Sequence, residues 1–126
     1  MKIDDVTEWL NLADNDLYSA EILFKQDRKP LEIICNHCAK SAEKYLKGYL
    51  AFNEIIPQKT HNLTNLLEMC KNIDPEFIII KTECGILNRY STDIRYPSKI
   101  EILNDDAIFC IKSVKNLKSK THSIND

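Results

Sequence analysis

The run ICNHCAKSAEKYLKGYL, from Ile34 to Leu50, brings together Cys35, His37, Cys38, Lys40, Lys44 and Lys47. Three chemistries compete for these side chains. Two thiols and an imidazole can contribute to a zinc site, and a Cys-x-x-Cys pair can cycle between dithiol and disulfide. His37, Lys40 and Lys44, at i, i+3 and i+7, can offer one titratable ring and two cations to an anion or to a neighbouring carboxylate. Helical geometry discriminates among them. At about 100° per residue Cys35 and His37 diverge by about 160°, so they cannot ligate one ion without unwinding the helix. Structural zinc also needs four converging ligands, usually as two spaced pairs, and no second pair exists in the chain. A thioredoxin-like pair needs a preceding strand, which is missing. Cys35 and Cys38 fall in one apolar sector with Leu31, Ile34, Ala39, Ala42, Leu46, Tyr49 and Leu50, and they read as small core residues. Neither a metal site nor a resident cofactor is expected. The other side carries His37, Lys40, Ser41, Lys44 and Gly48, with Glu43 and Lys47 at its edge. It reads either as a solvated face or as a place to hold an anion.

Further candidates lie downstream. Arg89 projects opposite Leu87, Ile80 and Cys84 on its helix, toward solvent or a partner. Arg95 and Tyr96 precede Pro97, which restricts Tyr96 to extended backbone. An arginine beside a tyrosine can grip a phosphate through its planar fork and stack a base on the ring. Equally, Tyr96 can plug the end of the fold while Arg95 pairs with Asp93 or Glu101. His61, in PQKTHNL, can cap the next helix or hydrogen-bond across a chain crossing. Asp14 and Asp16 can pair with lysines of the second helix. Tyr45, Tyr49, Tyr90 and Trp9 fall on apolar faces and read as core, and His122, in the tail, is assigned nothing.

The elements that must position these residues are all helical. Val6, Trp9, Leu10, Ala13, Leu17, Ala20, Leu23 and Phe24 recur at three and four, which predicts a first helix capped by Asp4 or Asp5 and ending near QDRK. Leu31 to Phe52 predicts a second helix about 33 Å long. Leu63, Leu66, Leu67 and Cys70 mark a third, which Asn62 or Thr60 can cap. Asp74 followed by Pro75 starts a fourth. Leu103 to Leu117 gives a fifth, before a polar tail over residues 119–126 that is expected to fray.

The expectation is one antiparallel bundle spanning residues 1–126 with its core over about 5–118. A net charge of −2 gives no general attraction to nucleic acid, so any phosphate must be held by a local cluster. The five cysteines are odd in number and irregular in spacing, which argues against a disulfide framework. No apolar run is long enough for a membrane helix, and MKIDDVTEWL lacks the pattern of a signal peptide, so a cytoplasmic protein without membrane contact is expected.

Three stretches, read in order, resemble the HEPN domain family: WLNLADNDLYSAEILF, NHCAKSAEKYLKGYLAFNEIIPQKTHNL and LNRYSTDIRYP. The features that carry the resemblance are His37, the Ala39–Lys47 run, the Pro57–Leu63 turn and the terminal Arg95, Tyr96 and Pro97. The resemblance implies an all-α, five-helix antiparallel up-down bundle, often a homodimer, that binds a nucleotide such as ATP or the phosphate of RNA. It also implies a minimal nucleotidyltransferase as partner in a toxin–antitoxin pair.

The family's ribonuclease branch uses an arginine and, after a gap of four to six residues, a histidine. Metal-free RNA cleavage needs a group that moves a proton and a positive charge on the phosphate. Arg89 matches the arginine, but Ile94, Arg95 and Tyr96 occupy the three histidine positions, so the proton carrier is absent. In one toxin subgroup a tyrosine two residues beyond the histidine is adenylylated by the partner, and Tyr96 keeps that register. The resemblance therefore points to binding rather than catalysis, with Arg89, Arg95, Tyr96, His37, Lys40 and Lys44 as the phosphate-binding set. A metal-independent ribonuclease using Arg89 with His37 or His61 is the first alternative, and a structural dimeric interaction protein the second.

Overall fold

The structure is a computed structural model that describes residues 3–57, 59–91 and 101–122, the side chains of 3, 4 and 122 excepted. Its helices are α1 (Ile3–Phe24), α2 (Leu31–Phe52), α3 (Leu63–Ile73), α4 (Lys81–Leu87) and α5 (Asn104–His122). Tight 3-10 turns at Pro75–Ile80 and Asn88–Tyr90 bracket α4, and no strand occurs among the described residues. The all-α bundle read from the periodicity is the observed fold. No helix among the described residues is long and apolar enough to cross a membrane.

Helix α2 runs through the middle. It packs on α1, α3, α4 and α5, and Ile34, Cys35, Cys38, Ala42, Tyr45, Leu46 and Leu50 are all fully buried along it. All five cysteines are free and buried, and for Cys35 and Cys38 this is what their apolar sector predicts. Burial pushes the Cys70 and Cys84 thiols up to about 12, so they stay protonated at neutral pH.

The sector of α2 opposite the cysteines is not a solvated face. Ser41 and Gly48 are buried there against α1. Ser41 Oγ donates to the Ala13 carbonyl at 2.7 Å, and a Cβ on Gly48 would lie 3.0 Å from Leu10 Cδ2 and 3.3 Å from Trp9 Cβ. Small residues on both helices let the backbones approach, and the serine hydroxyl turns its bond inward. A sector that looks polar by composition can thus serve as a packing surface.

Helix ends follow local chemistry. Asn62 accepts from Asn65 N and caps α3, as expected, and Asp74 accepts from Glu76 N ahead of Pro75. α1 starts at Ile3, earlier than a cap at Asp4 or Asp5 requires, which leaves Asp5 inside the first turn where the helix dipole favours a carboxylate. α2 closes with Glu54 at φ 60°, the left-handed residue that lets Ile55 N bond the Leu50 carbonyl at 2.9 Å.

The fourth helix differs from its prediction. Its first turns are 3-10, over a stretch holding three consecutive isoleucines, and that geometry eclipses Phe77 and Ile80 on one buried side. The tail differs too, because α5 continues through His122 instead of fraying from residue 119. Thr121 is buried and its hydroxyl bonds the Leu117 carbonyl at 3.0 Å. Lys120 Nζ reaches Asp74 at 2.8 Å and Glu76 at 3.1 Å and lies 5.2 Å above the Phe77 ring. Polar residues are held here because they tie the last turn to the start of the fourth segment.

The close approach at Gly48 and the open space around Gly85 give opposite expectations. Gly48→Val overpacks the α1–α2 contact and lowers the unfolding free energy by about 1–3 kcal/mol. Gly85→Ala meets nothing within 4 Å and raises it by about 0.5–1 kcal/mol. Urea titration of both variants checks the pair.

The Lys120 contact has a pH signature. A hydrogen bond from Lys120, followed by one from the Glu76 amide, lowers the Asp74 pKa, and the Asp74 hydrogen bond raises that of Lys120. Asp74 therefore contributes stability above its ordinary unfolded value, and this is lost as pH falls through its lower folded value. The Lys120 contribution is full below its ordinary value and disappears as pH rises through the higher folded one. Lys120→Met should lower the thermal midpoint at neutral pH. The gap to wild type should narrow as the solution is acidified past the Asp74 transition, and a gap that persists unchanged would refute the linkage.

Candidate functional site

Asp16 anchors the polar side of α2. His37 Nδ1 lies 3.0 Å from its Oδ1, and Lys44 donates to its Oδ2. An ionised carboxylate can only accept, so His37 must carry its proton on Nδ1. The i and i+7 positions of the stripe thus converge on a neighbouring carboxylate, one of the two roles their spacing allows. Asp16 is only 13% exposed, so this is a semi-enclosed cluster rather than a surface pair. Asp14, two residues earlier, accepts from the Tyr45 hydroxyl and pairs with Lys118 of α5 at 3.3 Å. Burial first, and then the Asp14 hydrogen bond, pushes the Tyr45 phenol up and keeps it protonated.

A second carboxylate organises the other end of the stripe. Glu43 is buried; its Oε2 accepts from Lys47 at 3.0 Å and its Oε1 lies 2.8 Å from His61 Nδ1. Lys47 also stands 5.4 Å above the Trp9 ring. His61 therefore bonds across the chain crossing, while Asn62 takes the capping role. The His61 side chain is 77% exposed, so its other ring nitrogen is left to solvent.

Arg89 sits on the Asn88–Tyr90 turn and is exposed, as its angular position predicts. The turn is fixed from two sides. Asn36 of α2 donates to the Tyr90 carbonyl at 2.8 Å, and Asn88 Oδ1 accepts from Leu63 N, the first amide of α3, at 2.9 Å. Lys40 lies one turn along α2 from Asn36, on the same face of the helix. Neither Arg89 nor Lys40 forms an ion pair among the described residues. Arg95 and Tyr96 lie outside the described residues, as does Ile94.

The structure thus divides the residues singled out by type and spacing. His37 and Lys44 share Asp16, His61 joins Glu43, and Arg89 and Lys40 are left without an ion pair among the described residues. Glu43, Asn36 and Asn88 were not singled out as joints. The signal for Glu43 was its position in the Ala39–Lys47 run, but an acid at the edge of a polar sector reads as solvated. The asparagines join segments 54 and 25 residues apart, beyond the reach of periodicity. Among the described residues, no three His, Cys, Asp or Glu side chains converge as metal ligands would.

A five-helix bundle with these internal joints defines a class of small α-helical domain. The profile of the HEPN domain family matches residues 6–124, and the chain belongs to that family. The crystal structure of an archaeal HEPN homologue superposes on it with a TM-score of 0.74 at 24% identity, covering 94% of this chain and 95% of that one. At that identity the likeness shows the fold. A search of curated proteins gave no match.

Asp16→Ala leaves a lysine and a histidine without their shared acceptor, and should cost about 1–3 kcal/mol of stability. Lys40→Ala, at a cation with no acid partner, should change it by less than about 0.5 kcal/mol. Urea midpoints at unchanged m-value would measure both, and equal effects would show that Asp16 is not an anchor.

Proposed function

We propose that this HEPN-domain protein binds the phosphate of a nucleotide such as ATP, or of RNA, along the seam between α2 and the Asn88–Tyr90 turn. It acts, on this reading, with a minimal nucleotidyltransferase as one member of a toxin–antitoxin pair. One observation carries the proposal: Arg89 and Lys40 have no ion pair among the described residues, beside a turn that Asn36 and Asn88 hold to two helices. A guanidinium on a fixed turn loses little freedom on gripping a phosphate in two-point fashion. His37 and Lys44 already share Asp16 as their acceptor and keep α1 in place behind the seam. Arg95 and Tyr96, a few residues on in sequence, would add a second fork, a stacking surface and the hydroxyl that a partner transferase modifies. Five free thiols support a reducing, cytoplasmic setting. Exposed Ile78, Ile79, Ile108 and Phe109 support a homodimer, which a solution mass would test.

A second reading rests on His61. An exposed imidazole whose Nδ1 is fixed by Glu43 can move a proton through its free nitrogen. On this reading the protein is a metal-independent ribonuclease, with Arg89 supplying charge and His61, or His37, replacing the loop histidine.

Saturating nucleotide or RNA should stabilise the wild type by about 2.7 kcal/mol at a hundredfold excess over Kd, a rise of several degrees in thermal midpoint. Arg89→Ala with Lys40→Ala should abolish most of that rise, and no shift in the wild type would refute the binding proposal. Labelled RNA should survive incubation with the protein in EDTA. Cleavage that His61→Ala or His37→Ala abolishes would transfer the conclusion to the ribonuclease.

A further inference from the structure

A groove of about 280 Å³ lies between the first turns of α1 and the turn after α2, lined by Asp5, Glu8, Trp9, Leu12 and Pro57. Asp5, Glu8, Trp9 and Leu12 stand at i, i+3, i+4 and i+7, so a single stripe of α1 forms one wall. The floor is apolar, with Leu12 40% exposed there beside Pro57. Ile56, the residue before Pro57 in the chain, is 79% exposed outside the groove's lining. The mouth is acidic. Asp5 and Glu8 are exposed and form no ion pair among the described residues. The cation beside this wall, Lys47, is held by Glu43 and covers one face of Trp9. Its charge is therefore committed inside the protein and does not cancel the carboxylates at the mouth.

An anion would meet the Asp5 and Glu8 carboxylates here, so the groove is unsuited to the phosphate assigned to the seam. Its size is at the lower end of small-molecule sites, which run from roughly 300 Å³, and suits one or two long side chains. We infer that this groove docks a basic, amphipathic segment of a partner protein. The aliphatic stem of an arginine or lysine lies on Leu12, Pro57 and Trp9, and its charged head meets Asp5 and Glu8. Three properties of such a residue match the site. Its stem buries apolar surface while the head stays wet, a guanidinium or ammonium is attracted to an indole, and a guanidinium bonds a carboxylate through two hydrogens. An adjacent apolar residue of the same segment would cover Ile56.

The chain's single tryptophan is in the wall, so occupancy can be read from its own emission. The probe is a short capped peptide of arginine and leucine, titrated at physiological ionic strength beside the same peptide with glutamate for arginine, and beside spermine. The arginine peptide should give a saturable change in Trp9 emission, and the glutamate peptide none. Asp5→Asn with Glu8→Gln, both exposed and nearly isosteric, should weaken binding by about tenfold or more. The double variant should keep the wild-type circular dichroism melt. Arg89→Ala with Lys40→Ala should leave peptide binding unchanged, which separates this surface from the phosphate seam. No saturable change, equal binding to the double variant, or spermine binding as tightly as the peptide would each overturn the inference.

Discussion

The constraint on which the rest of the molecule depends is that α2 is enclosed on nearly every side. A helix in that position leaves little of its polar side to water, so most of the polar groups along it find a partner within the protein. The partners are carboxylates and carbonyls. Asp16 takes His37 and Lys44, Asp14 takes Tyr45, Glu43 takes Lys47 and His61, and the Ala13 carbonyl takes Ser41. Three of these partners, Asp16, Asp14 and the Ala13 carbonyl, belong to α1, which therefore packs against α2 in one register. Slide α1 by one turn, and Gly48 no longer faces Leu10 while Lys44 loses Asp16.

The same requirement places the exposed chemistry. Because Asn36 and Asn88 spend their hydrogen bonds on the backbone of a turn and of α3, the segment carrying Arg89 is fixed to the central helix rather than left as a free loop. Charge is then distributed unevenly over the surface. Among the described residues, Arg89 on the Asn88–Tyr90 turn and Lys40 on α2 have no acid partner, and Asp5 and Glu8 at the groove on α1 have no cation partner. A net charge of only −2 conceals two local surfaces of opposite sign.

Much of the architecture was legible because its signals are local. The second helix was read from Leu31 to Phe52, and both limits hold. Asn62 and Asp74 cap because short polar side chains beside a helix start satisfy amides within a few residues. Arg89 was readable as exposed from its angle alone. What failed was any inference about a face whose environment lies elsewhere in the chain. Ser41, Gly48 and Glu43 look solvated by composition, yet they are buried by α1 and by the turn that carries His61. The last turn of α5 looked free because its anchors, Asp74 and Glu76, lie more than forty residues away.

The sequence by itself determined the helical composition, the burial of Cys35 and Cys38 and the membership that its ordered motifs announce. These rest on periodicity, capping and residue size, which act over a few residues. Only the tertiary structure decided which cations are already neutralised and which, among the described residues, stand without an acid partner. That distinction depends on carboxylates brought from other helices, and a one-dimensional pattern does not encode the distance between side chains on separate elements.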